Sequence, residues 1–405
     1  MDDIPRTLRA MLAEAKDTSE LMVDLAYASV YFDDPHMAEE VDELEQRMSE
    51  MVHDMRAVCV LSARSSREAE GMSSVLQVVS AIERIANDAV DIARIVTRRL
   101  GIPRQLVADL SDAEEVSHRV LVSDGSHMAH RPLSALELTV QAGMRVMAIR
   151  RGHEWITDVG GDTVLLPGDV LFLRGAPDGI TRLRELAAAP VWEPPRPEDV
   201  AALTDLDRAV DVLVEMKNLS EAAVGLGYSA LVLADRGLAA EVRHLEDRLD
   251  EMKDHLELWV LRSAGSDVDP AELRGLLHLA EAAEDIGDQA QAMVWLVEKD
   301  EELHPILGIA LGEADEVVVR YPVTSGSTTD GSTLSDLRLN IEPGFTVLAV
   351  RRGGRYLYRP RGPVRLVEGD EIIASGPEEG RVLLARLCGW SLVVDDEGRD
   401  ELVSV

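Results

Sequence analysis

The sequence predicts an α + β multidomain protein, with two antiparallel three-helix bundles that alternate with two small α+β modules. Three observations predict this class: the chain repeats itself, each repeat begins with a helical period of apolar residues, and each repeat ends in short β-rich runs between turns. The expected order is bundle, module, linker, bundle and module, at residues 1–101, 105–188, 189–201, 202–302 and 306–390.

The repeat is a gapless shift of 201 residues that matches over most of the chain. In the helical part the shift places Lys16, Ser19, Glu20 and Tyr27 on Lys217, Ser220, Glu221 and Tyr228. Downstream it places Val146, Ala148, Arg150, Arg151 and Gly152 on Val347, Ala349, Arg351, Arg352 and Gly353. These matches indicate a tandem duplication. Several prolines between the copies predict a stiff, extended linker: Pro190, Pro194, Pro195 and Pro197.

About one hundred residues at the start of each copy have a helical period. The middle helix carries an apolar residue every three or four positions and so presents one narrow seam to its neighbours. The seam residues are Val41, Leu44, Met48, Met51, Met55 and Val58, and then Val242, Leu245, Leu249, Met252, Leu256 and Trp259. Flanking helices are expected at about 7–32, 67–100, 203–235 and 269–297. Three antiparallel helices per copy form the simplest packing.

The following eighty or so residues of each copy predict strands and short helices. Strands are expected at 145–150, 170–173, 346–351 and 371–374, and covering helices at 180–188 and 381–387. Such a module has a small core, which favours docking against a bundle or against its twin.

The charge balance is strongly acidic, with 75 acidic residues against 41 basic ones and a net charge of −34. Only four of the basic residues are lysines. This composition is typical of halophilic proteins, whose carboxylates hold water and cations, and an ordinary acidic protein from a genome rich in G and C is the alternative. In either case nucleic acid is not an expected partner, because phosphate binding needs clustered cations.

Cys59 and Cys388 are the two cysteines, and both lie in apolar segments, so we expect small core residues rather than a disulfide or a zinc site. No apolar run approaches the roughly 18 residues that span a bilayer. The chain also starts with acidic residues where a signal peptide would be basic. The expected location is therefore cytoplasmic.

Two motifs carry a family resemblance. The run Ile82-Glu83-Arg84-Ile85-Ala86-Asn87-Asp88-Ala89 resembles the helical signature of PhoU domains, and copy two has a weaker version, Glu284-Asp285-Ile286-Gly287-Asp288. The α+β modules resemble TrkA-C, or RCK C-terminal, domains. They share leucine-spaced segments (Leu133, Leu136 and Leu138; Leu334, Leu337 and Leu339), a Gly-x-x-Val-x-Ala-Ile/Val-Arg-Arg-Gly run, and Gly-Asp before the closing strand.

The resemblance implies a cytoplasmic, ligand-sensing regulatory protein of a cation channel or transporter, potassium first, located peripherally at the membrane. Its implied partner is a separately encoded membrane cation transporter or channel, and a homodimer stays open. No Gly-x-Gly-x-x-Gly follows a strand, so the NAD-binding half that usually precedes this domain is not expected. The alternative is a PhoU-type regulator of phosphate transport or signalling.

PhoU resemblance also implies candidate metal ligands, because Glu/Asp-x-x-x-Asp pairs place two carboxylates on one helix face. The candidates are Glu20, Asp24, Glu83, Asp88, Glu284 and Asp288. The spacing is kept only in part. The residue equivalent to Asp24 in copy two is Gly225, and the residue equivalent to Asp288 in copy one is Asn87. Divalent metal ions are one expectation here, and solvated or capping carboxylates are the other.

Two arginine pairs, Arg150-Arg151 and Arg351-Arg352, end a strand in each module and offer planar forks for a phosphate or a carboxylate. The resemblance implies a small ligand such as a cyclic dinucleotide between two modules. Pairing of these arginines with surface acids is the structural alternative. The loop residues His127 and His130 have no histidine equivalents in copy two, so a duplicated histidine metal site is not expected.

Enzymatic activity is not expected. The sequence contains no nucleophile elbow, no P-loop and no His-Glu-x-x-His motif.

Overall fold

The computed structural model describes residues 6–103, 106, 109–110, 113, 115–157, 159–192, 204–264, 269–299, 303–312, 314, 316–394 and 400–404. The chain forms two compact units. Residues 1–117 and 193–314 form the helical unit, and residues 118–192 and 315–405 form the α/β unit. The greater part of the predicted linker, 193–201, lies outside the described residues.

Six long helices build the helical unit in the part of the chain that the structure describes. They are α1 (Leu8–Phe32), α2 (Pro35–Ser62), α3 (Ser66–Thr97), and then, after the first α/β module, α6 (Asp205–Leu233), α7 (Arg236–Ser263) and α8 (Pro270–Glu298). Helix starts follow capping chemistry, because the carboxylates of Asp34 and Asp269 accept backbone N–H groups just before a proline at the first helical position. A short helix, α9 (Pro305–Leu311), follows α8.

Each copy forms one three-helix bundle, and most of each predicted seam is buried, although Val58, Met252 and Trp259 are only half-buried. Val41, Leu44 and Met48 of α2 are fully buried, as are Val242 and Leu249 of α7. The two bundles meet along α3 and α8, which run antiparallel. The Gln77 side-chain amide donates to the Ala292 carbonyl oxygen at 2.9 Å, and Arg84 donates to the Gln289 side chain at 3.4 Å.

Two four-stranded sheets form the α/β unit. Their strands are β1 (Val116–Leu121), β2 (Met144–Arg151), β3 (Glu154–Ile156) and β4 (Val170–Gly175), and β5 (Glu316–Pro322), β6 (Thr346–Arg352), β7 (Arg355–Tyr358) and β8 (Glu371–Pro377). Their helices are α4 (Leu138–Ala142) and α5 (Ile180–Leu186), and α10 (Leu334–Leu337) and α11 (Arg381–Leu387). The strand orders β1-β4-β2-β3 and β5-β8-β6-β7 are the same.

The two modules contact each other reciprocally within the α/β unit. Gly143 has φ of +58°, and a Cβ there would lie 2.2 Å from the carbonyl oxygen of Asn340. Gly344 approaches the Thr139 carbonyl in the same way, at 2.3 Å. Since the shift of 201 relates Gly143 to Gly344 and Thr139 to Asn340, the two contacts are equivalent, and they indicate a local pseudo-twofold axis. The ion pair between Arg145 and Glu316, at 3.3 Å, also joins the modules.

The structure adds elements that the sequence did not predict. They include the outer strands β1, β3, β5 and β7, the helix α9, and a C-terminal hairpin of β9 (Trp390–Val394) and β10 (Asp400–Ser404). The hairpin is anchored by the Trp390 indole N–H, which donates to the Pro322 carbonyl at 2.6 Å. Both cysteines are buried, as expected. No helix in the described ranges is long and apolar enough to cross a membrane.

Candidate ligand sites

Glu20 belongs to a buried polar network between the two bundles. Its carboxylate lies 2.8 Å from the Lys16 ammonium, which is 3% exposed and lies 5.1 Å from the centre of the Tyr228 ring. The Ser19 hydroxyl lies 3.3 Å from the Tyr228 hydroxyl. Burial raises the pKa of Tyr228, and the nearby Glu20 charge raises it further, so the phenol stays neutral.

The second copy repeats this network with the roles of the bundles exchanged. Lys217 pairs with Glu221 at 2.8 Å and lies 5.4 Å from the centre of the Tyr27 ring. The Ser220 side chain lies near the Tyr27 hydroxyl, which has no hydrogen-bond partner among the described residues. Two of the repeat's most recognisable residues, the lysine and the tyrosine, therefore hold one copy against the other. Asp24, the second carboxylate of the Glu20 motif, is 8% exposed.

The remaining candidates of copy one, Glu83 and Asp88, lie on α3. Arg56 of α2 binds Glu83 with an N–O distance of 2.5 Å. The Oδ2 atom of Asp88 is buried and accepts no hydrogen bond from the described residues. Burial raises the pKa of Asp88 to about 8, and the charges of Asp285, Asp91 and Asp288 contribute, whereas Arg84 opposes the shift.

Copy two brings four carboxylates together on α7 and α8. Glu284 and Asp288 of α8 were predicted, whereas Glu246 and Asp250 of α7 were missed although they have the same i, i+4 spacing. Glu246 contacts Asp288, and Glu284 contacts Asp250. Burial raises the pKa of Glu246 to about 7, with further contributions from neighbouring aspartates such as Asp288.

The chemistry of this four-carboxylate face suits a hard cation. In the described part of the chain, however, no three carboxylate, imidazole or thiol groups converge closely enough to share one metal ion. Copy one has only half of the set, because Ser49 and Asn87 stand where copy two has Asp250 and Asp288. The two faces are therefore unequal, and the metal hypothesis for the six predicted carboxylates stays a prediction.

The second arginine of each predicted pair is held inside its own module. Arg151 donates two hydrogen bonds to the buried carboxylate of Asp169, at 2.9 and 2.8 Å. Arg352 forks onto Asp370 in the same way, with both distances at 2.7 Å. Burial alone would raise the pKa of Asp169, but the hydrogen bonds from Arg151 and the Leu166 amide hold it below its ordinary value. Arg151 and Arg352 are therefore paired with acids, but the acids are buried ones of their own module and not the surface acids expected from the sequence.

The first arginine of each pair has a different environment. The Arg150 guanidinium lies 5.9 Å from the centre of the Phe172 ring, in cation–π range. The equivalent Arg351 lies 3.2 Å from Glu371. Both side chains are half-buried beside a rigid arginine–aspartate fork, so Arg150 and Arg351 are the stronger ligand candidates. His127 contacts the Arg131 guanidinium in its loop, and His130 has a positive φ of 63°.

Comparison with known families identifies both kinds of domain. The PhoU domain profile matches residues 12–96 and 213–296, and the TrkA-C domain profile matches residues 118–188 and 318–389. The chain is a tandem PhoU and TrkA-C domain protein. Each PhoU match falls on one three-helix bundle and each TrkA-C match on one α/β module. Both are families of regulatory, non-enzymatic domains.

Individual relatives of this PhoU and TrkA-C protein are more distant. An uncharacterized transporter from Synechocystis is 39% identical over 69 residues, which are 17% of this chain and about a tenth (11%) of that relative's length. PhoU from Pseudomonas aeruginosa has a TM-score of 0.39 at 14% identity, covering 72% of this chain and 93% of that one. A GsuK channel bound to NAD has a TM-score of 0.18 at 16% identity, covering 78% and 65%.

Proposed function

We propose that this protein is a ligand-sensing regulatory subunit of a membrane cation channel or transporter, with potassium as the transported ion. The observation that carries the proposal is that domains of the same family lie in the same compact unit. The two PhoU bundles lie in one compact unit and the two TrkA-C modules in the other. One chain therefore supplies a complete pair of sensing modules and a complete pair of helical bundles.

The connectivity gives such a pair a means of signalling. The chain passes between the two units three times, near residues 117, 192 and 314. A ligand that binds the two TrkA-C modules better in one spacing than in another shifts the population toward that spacing. Because both modules are covalently joined to bundles, the shift is transmitted to the helical unit, which we assign as the surface that the membrane partner reads.

The match to a protein named a transporter supports a role in transport, although it covers only one short segment. The TrkA-C modules favour a small anion as the ligand, since each offers an arginine beside a preformed fork. A cyclic dinucleotide has two phosphates, one for each half of a pseudo-twofold pair. Arg150 and Arg351 are equivalent positions under the repeat, and we propose them as the phosphate-binding residues of the two modules.

Titration calorimetry with cyclic di-AMP tests the ligand. We expect one molecule bound per chain, and weakening by about 10- to 100-fold on Arg150→Ala or Arg351→Ala, as loss of a charge-assisted hydrogen bond predicts. The matched control is Arg182→Ala, which removes the same charge from an exposed ion pair with Glu185 on α5. Unchanged heats in both variants, or equal weakening in the control, would remove these arginines from the site.

Phosphate-transport control is the second candidate, and the PhoU match over both bundles is the observation that favours it. The two functions differ in the membrane protein that responds. A transport assay that follows both ions separates the two functions.

A further inference from the structure

In each PhoU bundle a glutamate of the third helix forms an ion pair with a basic side chain of the middle helix, and the glutamate is at the same position in both copies. In the second bundle the Lys253 ammonium lies 2.8 Å from the Glu284 carboxylate. In the first bundle the Arg56 guanidinium lies 2.5 Å from Glu83. Glu83 and Glu284 are equivalent under the shift of 201 residues. Each middle helix therefore neutralises the same glutamate of its neighbouring third helix.

The two basic residues are not equivalent to each other. Lys253 aligns with Val52, and Arg56 aligns with Glu257, so the bases occupy neighbouring turns of the middle helix. The two ion pairs therefore cannot both descend from one pair in the duplicated ancestor. Both copies place a positive charge at this glutamate, but the charge comes from a different position of the middle helix in each copy.

Burial explains why the charge is needed in the second bundle, whereas in the first the side chains of Arg56 and Glu83 are 46% and 24% exposed. The side chain of Glu284 is 11% exposed and that of Lys253 is 26% exposed. A carboxylate withdrawn from water this far is strongly destabilising without a cation. The Lys253 ammonium, 2.8 Å from this carboxylate, supplies the cation.

The PhoU assignment implies a metal ion at such carboxylate motifs, and the residues as arranged do not fit one. In the second bundle Glu246 contacts Asp288, Glu284 is bound by Lys253, and the described residues contain no group of three ligands at one point. In the first bundle two of the four positions are Ser49 and Asn87, which carry no charge.

We propose that Lys253 and Arg56 are built-in counter-ions that take the part a metal ion plays at PhoU carboxylate motifs, so that both bundles close without metal. The inference rests on the PhoU assignment and is independent of the transported ion. The two bundles differ in the surrounding residues, since the second has Asp250 and Asp288 where the first has Ser49 and Asn87.

Calorimetry with Mn²⁺ on the full chain tests the proposal, with thermal unfolding as the second readout. We expect the wild type to show no saturable Mn²⁺ binding. Lys253→Met removes the ammonium, so we expect it to gain one saturable Mn²⁺ site on Glu284 and Asp250, which contact each other between α8 and α7. Its melting temperature falls in metal-free buffer and recovers with Mn²⁺. Adding Glu284→Gln to Lys253→Met removes the gain.

Two controls separate a counter-ion from ordinary packing. Lys253→Arg keeps the charge and stays unable to bind Mn²⁺. Arg56→Met removes the equivalent ion pair but gains no site, because Ser49 and Asn87 leave too few carboxylates. If Lys253→Met does not fold, Lys253→Gln replaces it. Saturable Mn²⁺ binding by the wild type that Glu284→Gln abolishes, or no gain in either uncharged variant, would overturn the proposal.

Discussion

At the scale of single residues, the four lysines have specific positions in a chain whose other basic residues are arginines. Lys16, Lys217 and Lys253 each bind a glutamate at 2.8 Å in the helical unit. The fourth, Lys299, lies 5.8 Å from the centre of the Trp295 ring. A compact ammonium on a flexible stem fits such enclosed sites, whereas arginine forms the planar forks of the TrkA-C modules.

His118 is a buried histidine whose environment predicts acid sensitivity of the α/β unit. The Arg184 guanidinium donates to its Nε2 atom at 3.2 Å, and the Trp192 ring packs edge-on against it with centroids 5.3 Å apart. Burial lowers the pKa of His118 to about 4, and the positive charges of Arg184 and Arg119 contribute. Only the neutral imidazole can accept the hydrogen bond from arginine.

The sign of the pH dependence follows from this lowered pKa. The unfolded chain, in which the histidine pKa is about 6.5, takes up the proton first as the pH falls. The contribution is fully present above about pH 6.5 and is lost between there and pH 4, for a total of about 3 kcal/mol. Between pH 7 and pH 5 the wild type should lose about 2 kcal/mol more unfolding free energy than His118→Gln does, as measured by urea unfolding. Equal pH dependence in the two proteins would contradict this assignment.

At the scale of elements, the contact between the turns that follow α4 and α10 fixes how the TrkA-C modules pair. We expect Gly143→Ala to weaken this pairing, because the added Cβ would meet the Asn340 carbonyl. Gly125→Ala is the control, since Gly125 also has a positive φ, +77°, but nothing lies within 4 Å of the added atom. The strained backbone alone costs about 1 kcal/mol.

Urea unfolding of the full-length variants measures the difference. Gly143→Ala should lose at least about twice the unfolding free energy that Gly125→Ala loses, since a backbone clash adds to the strain. It should also weaken cyclic di-AMP binding, which the control leaves intact. Equal losses in the two variants would show that the close contact does not hold the modules together.

The helices and central strands could be predicted because their signals are local. The apolar residues of α2 recur every three or four positions, and β2 and β6 both end in two arginines followed by a glycine. The outer strands β3 and β7 are three and four residues long, too short to show a period. In β1 the buried residue between two valines is His118, which disguises the alternation.

The sequence predicted which residues belong to the candidate sites better than it predicted which residues those side chains contact. Arg151 and Asp169 both lie in the repeated motif, but their ion pair depends on the register of β2 against β4, which the sequence does not encode locally. Glu246 and Asp250 carried the same spacing as Glu284 and Asp288, so that signal was available. Neither Lys253 nor Arg56 could be assigned, because each reaches across to a neighbouring helix.

At the scale of the whole molecule, duplication has placed two equivalent halves in one chain and let them diverge. The lysine–tyrosine network and the glycine contacts are kept on both sides. The carboxylate faces and the arginine environments differ, since Arg150 lies over Phe172 and Arg351 beside Glu371. A single chain can thus present unequal sites to one ligand, which a symmetric dimer of identical chains cannot do without breaking its symmetry.

The most direct test of the regulatory function measures ion uptake in cells. Initial rates of rubidium uptake, as a tracer for potassium, and of phosphate uptake are compared in cells with the wild-type chain, without it, and with Arg150→Ala plus Arg351→Ala. We predict that deletion changes rubidium uptake and leaves phosphate uptake unchanged, and that the double variant no longer responds to the ligand. A change in phosphate uptake with unaltered rubidium uptake would contradict the account and favour phosphate control.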